Sequence, residues 1–331
     1  MADGNLPTET DKNGSFLEKF GKTLSDAMFP NIRENVDKAL GRVIGASGEL
    51  CATLIDNETE KLKTRKDARV VSIRSINNAA NDKNLTDDDI ISRAASYQAQ
   101  RTLRQQLNRE KICKAAAEEI GENPPTKDAA DSIDDDWLEQ FSRHAEKVSS
   151  EQMQRLWSKI LAGEIKTPGR FNFRTMDFIS KLSRQEATLI SSVFPFATSG
   201  GEIMLPEELC KEKFTEFLTL EELGLISGSL SAFGGIAKSY DMKGQENEYH
   251  SIRFGDIAVV FYKKPDANDL AIPIIKFSSV MTEIMSLCDY KTDREHVRKV
   301  IDFIKGKNFR VRSGFALDRP DGMFQLIEVS I

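Results

Sequence analysis

Apolar residues along most of this chain recur at steps of three and four, with short polar breaks between the runs, a pattern that predicts a succession of amphipathic helices. Residues 1–14 (MADGNLPTETDKNG) show no such period and read as a disordered tail. In residues 15–28, Phe16, Leu17, Phe20, Leu24 and Met28 share one helical face, and Pro30 stops the helix. From Asn31 a second helix carries the clearest stripe of the N-terminal third: Leu40, Val43, Ile44, Leu50, Leu54 and Ile55, with small residues such as Gly41, Gly45, Ala46 and Gly48 between them. A seam of small residues lets two helices approach closely. The stripe therefore reads either as a helical hairpin or oligomer face, or as a helix lying on a membrane surface.

A polar break at 81–84 follows, and Thr86 with Asp89 makes a capping-box pair for a helix predicted over 87–120. Gly121, Asn123, Pro124 and Pro125 end it. An acidic linker leads to Trp137, Leu138, Phe141, Ala145 and Val148, spaced as the next apolar face. Asp134, Asp135 and Asp136 suit either a divalent cation or, more simply, the positive end of that helix. Ser149 or Ser150 opens another helix with Met153, Leu156, Trp157, Ile160 and Leu161 on one side. Two short helices are expected over 172–194, one capped by Asn172 and one by the Ser183–Glu186 box.

The period changes after Pro195. Residues 207–217 and 219–223 read as short helices, and 228–248 as a loop. Strands are expected at 249–254, 257–263, 271–277, 308–314 and 323–330, with helices opening at Ser278 and Thr292. The predicted fold class is mainly α, with a smaller α+β domain at the C-terminal end that is winged-helix-like. That last feature rests on Leu220-x-x-Leu223-Gly224-Leu225-Ile226, which resembles the passage from helix to β-hairpin in winged-helix modules. The domain expectation is a tail at 1–14, amphipathic helices at 15–80, a central helical domain at 81–194 and an α+β domain at 195–331.

Composition narrows the chemistry. Of 331 residues, 40% are apolar and 30% charged, as solvated amphipathic helices require. A net charge of −6 opposes wholesale wrapping of nucleic acid, whose affinity comes from basic groups meeting phosphates. A local basic run does exist: Lys61, Lys63, Arg65, Lys66, Arg69 and Arg74. It reads as a contact for phosphate or anionic lipid, or as the solvated face of a long helix. The four cysteines are far apart, with no CxxC pair, which predicts reduced buried thiols and a cytoplasmic protein. Residues 1–14 are too polar for a signal peptide, and no run reaches the roughly 18 apolar residues of a membrane span. In the membrane reading the protein is peripheral at the inner membrane.

Catalytic motifs are not apparent. There is no G-x-S-x-G, the glycines at 224, 228, 234 and 235 lack a P-loop lysine, and the paired glutamates are sequence neighbours that diverge on a helix. His144, His250 and His296 are isolated and read as structural. No catalytic residue, metal or cofactor is expected.

The most distinctive stretch is 134–190: Asp136-Trp137-Leu138-x-x-Phe141, then Val148-Ser149-Ser150-Glu151-x-Met153-Gln154-x-Leu156-Trp157-x-x-Ile160-Leu161-Ala162-Gly163-Glu164, Pro168-Gly169, Arg174-Thr175 and Leu182-Ser183-x-x-Glu186-Ala187. Upstream stands Arg104-Gln105-x-x-Asn108-x-x-x-Ile112-x-x-Ala115. This core resembles a bacterial family of uncharacterised proteins, a domain of unknown function, and is similar to the core of the abortive-infection alpha group of phage-defence proteins. The resemblance implies a bacterial or mobile-element origin and a defence role, and it carries over no active site. Its core residues here are Trp137, Phe141, Glu151, Met153, Leu156, Trp157, Leu161 and Glu164. The two tryptophans read as core anchors, and Glu151 suits the first turn of its helix. Glu164 lies near a helix end that disfavours a carboxylate, so a salt bridge or backbone hydrogen bond is expected to hold it.

The function expected from all this is that of a non-enzymatic interaction or sensor protein in anti-phage defence, acting through homo-oligomerisation and a protein partner. A peripheral membrane effector and a nucleic-acid-binding regulator are the alternatives, the nucleic acid being the less favoured partner.

Overall fold

The computed structural model describes residues 36, 39–44, 88–122, 133–205, 207–228, 236–240, 249–264, 268–319 and 324–329. The tail at 1–14, the helix at 15–28, Leu50, Leu54, Ile55, the basic run from Lys61 to Arg74 and the Thr86 cap lie outside them. The chain forms two compact units, 1–176 and 177–331. Residues 177–194, grouped with the central helices on sequence grounds, fall in the second.

The first unit is helical. Its long helix α1 (Asp88–Glu122) runs two residues past the expected end. It is followed by α2 (Asp135–Ala145) and α3 (Glu151–Lys166). Asp134 caps α2 by accepting from the Trp137 N–H at 2.9 Å, while Asp135 and Asp136 occupy its first turn. Ser150 caps α3. Both caps satisfy N–H groups that a helix start leaves open. α1 packs along α3, with Ile112, Cys113, Ala116 and Ile120 of one and Trp157, Ile160 and Leu161 of the other buried. A helical segment at 39–44 joins this core: Leu40, Val43 and Ile44 are buried, and the Leu40 and Ile44 carbonyls accept from the Cys113 thiol and the Gln106 amide of α1. Arg42, on its exposed side, pairs with Asp135.

A polar knot fixes the α2–α3 turn to α1. Asn108 donates to the Glu146 carbonyl at 2.9 Å, Gln154 donates to the Val148 carbonyl at 3.0 Å and to Asn108 Oδ1 at 3.3 Å, and Gln105 donates to the Glu146 carboxylate. Asn108 and Gln154 are buried, so their mutual satisfaction is what makes their burial tolerable.

Helix α4 (Phe173–Lys181), capped by Asn172, contains the division between the units. The second unit continues with α5 (Arg184–Ser191), whose Ser183–Glu186 capping box forms, and a 3₁₀ turn at Phe194–Phe196. Then come β1 (Glu202–Met204), α6 (Glu207–Glu212), α7 (Phe214–Glu222), β2 (Ile226–Ser227) and β3 (Ile236–Tyr240). The remainder is β4 (Tyr249–Phe254), β5 (Ile257–Lys263), β6 (Leu270–Phe277), α8 (Ser279–Met285), α9 (Arg294–Gly306), β7 (Phe309–Asp318) and β8 (Phe324–Glu328).

Three expectations are corrected. The helix expected over 207–217 breaks at Lys213, and 219–223 belongs to the same helix as Phe214. The stretch 228–248, expected to be all loop, contains β3. The strand β1 was not anticipated, because three residues carry no readable period.

Both sheets are antiparallel. In the first, β6 is central, with β1 on one side and β2 and β3 end to end on the other. The strands after the Gly-Leu-Ile passage thus pair with β6, and the β4–β5 hairpin is inserted between them in sequence. The second sheet is the meander β4-β5-β7-β8. At Gly314 there is no room for a Cβ, which would collide with the Ile327 carbonyl of β8. One core serves both sheets and α9: Phe254, Val259, Phe261, Ile272 and Ile274 meet Val297, Val300 and Ile304. The fold is therefore mainly α with a smaller α+β part. Among the described residues, no helix is long and apolar enough to cross a membrane.

Candidate functional site

Two places gather the residues that stand out in this chain, and they differ in kind. The first is built from the sequence core at 134–171. Glu164 is 2% exposed, and its two carboxylate oxygens accept from the Gly169 N–H at 2.6 Å and the Phe171 N–H at 2.9 Å. The Phe171 carbonyl in turn accepts from Trp137 Nε1 at 2.7 Å. The turn after α3 is thereby clasped from both sides, and backbone N–H groups are among the partners of Glu164. Gly163 is needed because a Cβ there would lie 2.7 Å from the Phe171 ring. Trp157 is fully buried, edge-on to Phe141 and stacked on His144, each ring 5.4 Å away between centroids. Phe141 and Leu161 are buried, while Met153 and Leu156 are half-buried. Glu151 is exposed and pairs with Arg155 one turn on. Buried rings and backbone-satisfied carboxylates hold a shape, and they leave little for a ligand to reach.

The second place is a cleft of about 550 Å³ in the 177–331 unit. Its walls are Leu205 and α6 (Glu207, Leu209, Glu212), Pro273 of β6, Phe196, and α9 with its N-cap (Asp293, Glu295, His296, Lys299, Phe303). Pockets of this size with apolar walls and a few polar groups are the usual form of ligand sites. Leu205 takes the left-handed backbone region with φ of 49°, rare for a residue bearing a Cβ and unexpected before a proline. Its N–H is anchored on the Pro273 carbonyl at 2.9 Å. Residues kept in such conformations tend to be found where a site is held in shape.

His296 is the unusual group here. It is 6% exposed, lies edge-on to Phe196 and Phe254, and its Nε2 is buried without a protein partner. Its backbone N–H is taken by Asp293, the N-cap of α9, at 2.9 Å. Burial pulls the imidazole down to about 4, with Lys299 acting in the same direction and Asp293 against it. Above pH 6.5 the ring is neutral in folded and unfolded chain alike, and it adds nothing to the pH dependence. Below that, the unfolded chain takes up a proton that the folded one refuses, so stability falls as the pH drops from 6.5 towards 4. Between pH 7 and pH 5 the wild type should lose about 2 kcal/mol more than His296→Phe in urea unfolding. Equal losses would contradict a neutral buried ring.

Sequence reasoning treated His296 as an isolated structural histidine and did not identify the cleft. Of the residues it did single out, Leu40, Val43 and Ile44 pack inside the first unit, so an outward-facing stripe rests on Leu50, Leu54 and Ile55, which lie outside the described residues. The basic run from Lys61 to Arg74 lies outside them too. Asp134, Asp135 and Asp136 serve α2 and Arg42. Among the described residues, no group of three or more His, Cys, Asp or Glu side chains is placed to hold a metal ion. Helix α7, at the place of a winged-helix recognition helix, carries Glu216, Glu221 and Glu222 and no basic residue, which opposes phosphate contact.

Residues 92–204 match a family model described as a protein of unknown function (DUF2806). The match contains the whole Glu164–Trp137 clasp, whereas Phe196 alone of the cleft's lining falls within it. No curated protein matches the chain, and neither does any solved structure.

Proposed function

We propose that the protein is an interaction or sensor protein of bacterial anti-phage defence, and that it recognises its partner ligand in the cleft between α6, β6 and α9. The observation that carries the recognition site is that cleft of about 550 Å³, in which apolar side chains such as Phe196, Leu209 and Phe303 stand among facing carboxylates beside the buried His296 ring. The defence setting rests on the resemblance of the 134–190 core to the abortive-infection alpha group. Self-association belongs to the same reading and rests on Leu50, Leu54 and Ile55, since Leu40, Val43 and Ile44 are buried within the first unit.

Phage plating on a bacterial host tests it. Cells expressing the chain should plate some phages less efficiently than cells with an empty vector. Leu209→Trp, which fills the cleft from α6, should abolish the protection while its unfolding curve matches the wild type. Full protection by Leu209→Trp would remove the cleft from the function. Equal plating with and without the soluble protein, over a broad panel, would overturn the defence reading.

A further inference from the structure

We infer that the cleft beside His296 takes an organic cation with an apolar body, an alkyl or aryl amine; the inference rests on the cleft being the recognition site. Four carboxylates line it, Glu207 and Glu212 from α6, Asp293 from the N-cap of α9 and Glu295 from its first turn, against one ammonium, Lys299, which lies 3.9 Å from Glu295. Charge of one sign on facing walls focuses a field into the space between them and draws in the opposite sign. The imidazole does not offset this field, since burial keeps it neutral. The positive end of the α9 dipole also opens here and would favour an anion, but it amounts to only about half an elementary charge, against four carboxylates and one ammonium. Arg294, the other cation of that turn, lies over the Phe315 ring and does not line the cleft.

The carboxylates are spread over two helices and are not gathered as metal ligands. That arrangement suits a cation whose charge hangs on a carbon frame rather than a bare divalent ion, which needs converging oxygens at about 2.0–2.6 Å. The carbon frame has its own counterpart in Phe196, Leu209, Pro273 and Phe303, where apolar surface leaves water on binding.

The test uses the full chain and three probes of one shape: phenethylammonium, phenethyl alcohol and 3-phenylpropionate, followed by ligand-observed NMR. The ammonium should bind about tenfold more tightly than the carboxylate, with the alcohol between them. Replacing Glu207, Glu212 and Glu295 together with glutamine should weaken the ammonium by about fivefold or more and leave the alcohol unchanged. If the three probes bind alike, or the triple variant binds the ammonium as the wild type does, the cation inference falls and the cleft remains a site. If no probe binds at millimolar concentration and Leu209→Trp changes nothing, the cleft reading itself falls.

Discussion

Trp157→Ala is expected to destabilise the first unit by about 3–5 kcal/mol, the range for removing a fully buried large aromatic side chain. Nothing about the site can absorb the cavity easily: the indole is enclosed, edge-on to Phe141 and stacked on His144, and α1 packs along the helix that bears it. The loss comes from volume and ring contacts, because Trp157 Nε1 has no protein partner. Trp137 is different, since its Nε1 donates to the Phe171 carbonyl. Trp137→Phe should therefore cost more than Trp157→Phe, by about 1–2 kcal/mol, because it strands a buried carbonyl. Denaturant unfolding of the variants measures both. A loss below about 1 kcal/mol for Trp157→Ala would show that the ring does not anchor this core.

Glu164→Ala should cost about 3 kcal/mol, nearly as much, for a polar reason. The buried Phe171 N–H is left unpaired, at about 1–3 kcal/mol, and the Gly169 N–H, at the exposed edge of the turn, loses its acceptor with it. Glu164→Gln keeps one acceptor oxygen and turns an N–H₂ towards a donor, so it should recover only part of the loss. The same unfolding experiment reads the difference. An alanine variant as stable as the wild type would mean that the 167–171 turn holds without its clasp.

Local features of the fold were legible in the sequence where the physics is local. Ser150, Ser183, Asn172 and Ser278 cap the helices they were expected to cap, because an N-cap is settled within three residues. The position of Glu164 near a helix end was a sufficient sign that something must hold it, although which backbone groups do so depends on how the chain turns at Gly169. β4, β5 and β6 were visible through their β-branched and aromatic runs. β3 was not, since Ile236–Tyr240 mixes exposed and polar positions and gains its strand character only by lying on β6. The break at Lys213 is likewise tertiary: its φ of −121° leaves the helical region with no proline or glycine to announce it. The cleft was illegible for a deeper reason. Its lining is drawn from positions 196 to 303, and its polar groups form no short motif. Only the meeting of α6, β6 and α9 makes a histidine that looked structural into the one beside a cleft.

With three histidines in the chain, the imidazole resonances offer the most direct test of the cleft as the recognition site. His144 lies in the first unit on Trp157, His250 lies on β4, and His296 alone lines the cleft. Titrating the full-length protein with phenethylammonium should move the His296 ring signals, saturably, and leave those of His144 and His250 in place. A probe that binds while His296 stays still, or that shifts all three rings alike, would contradict recognition in this cleft.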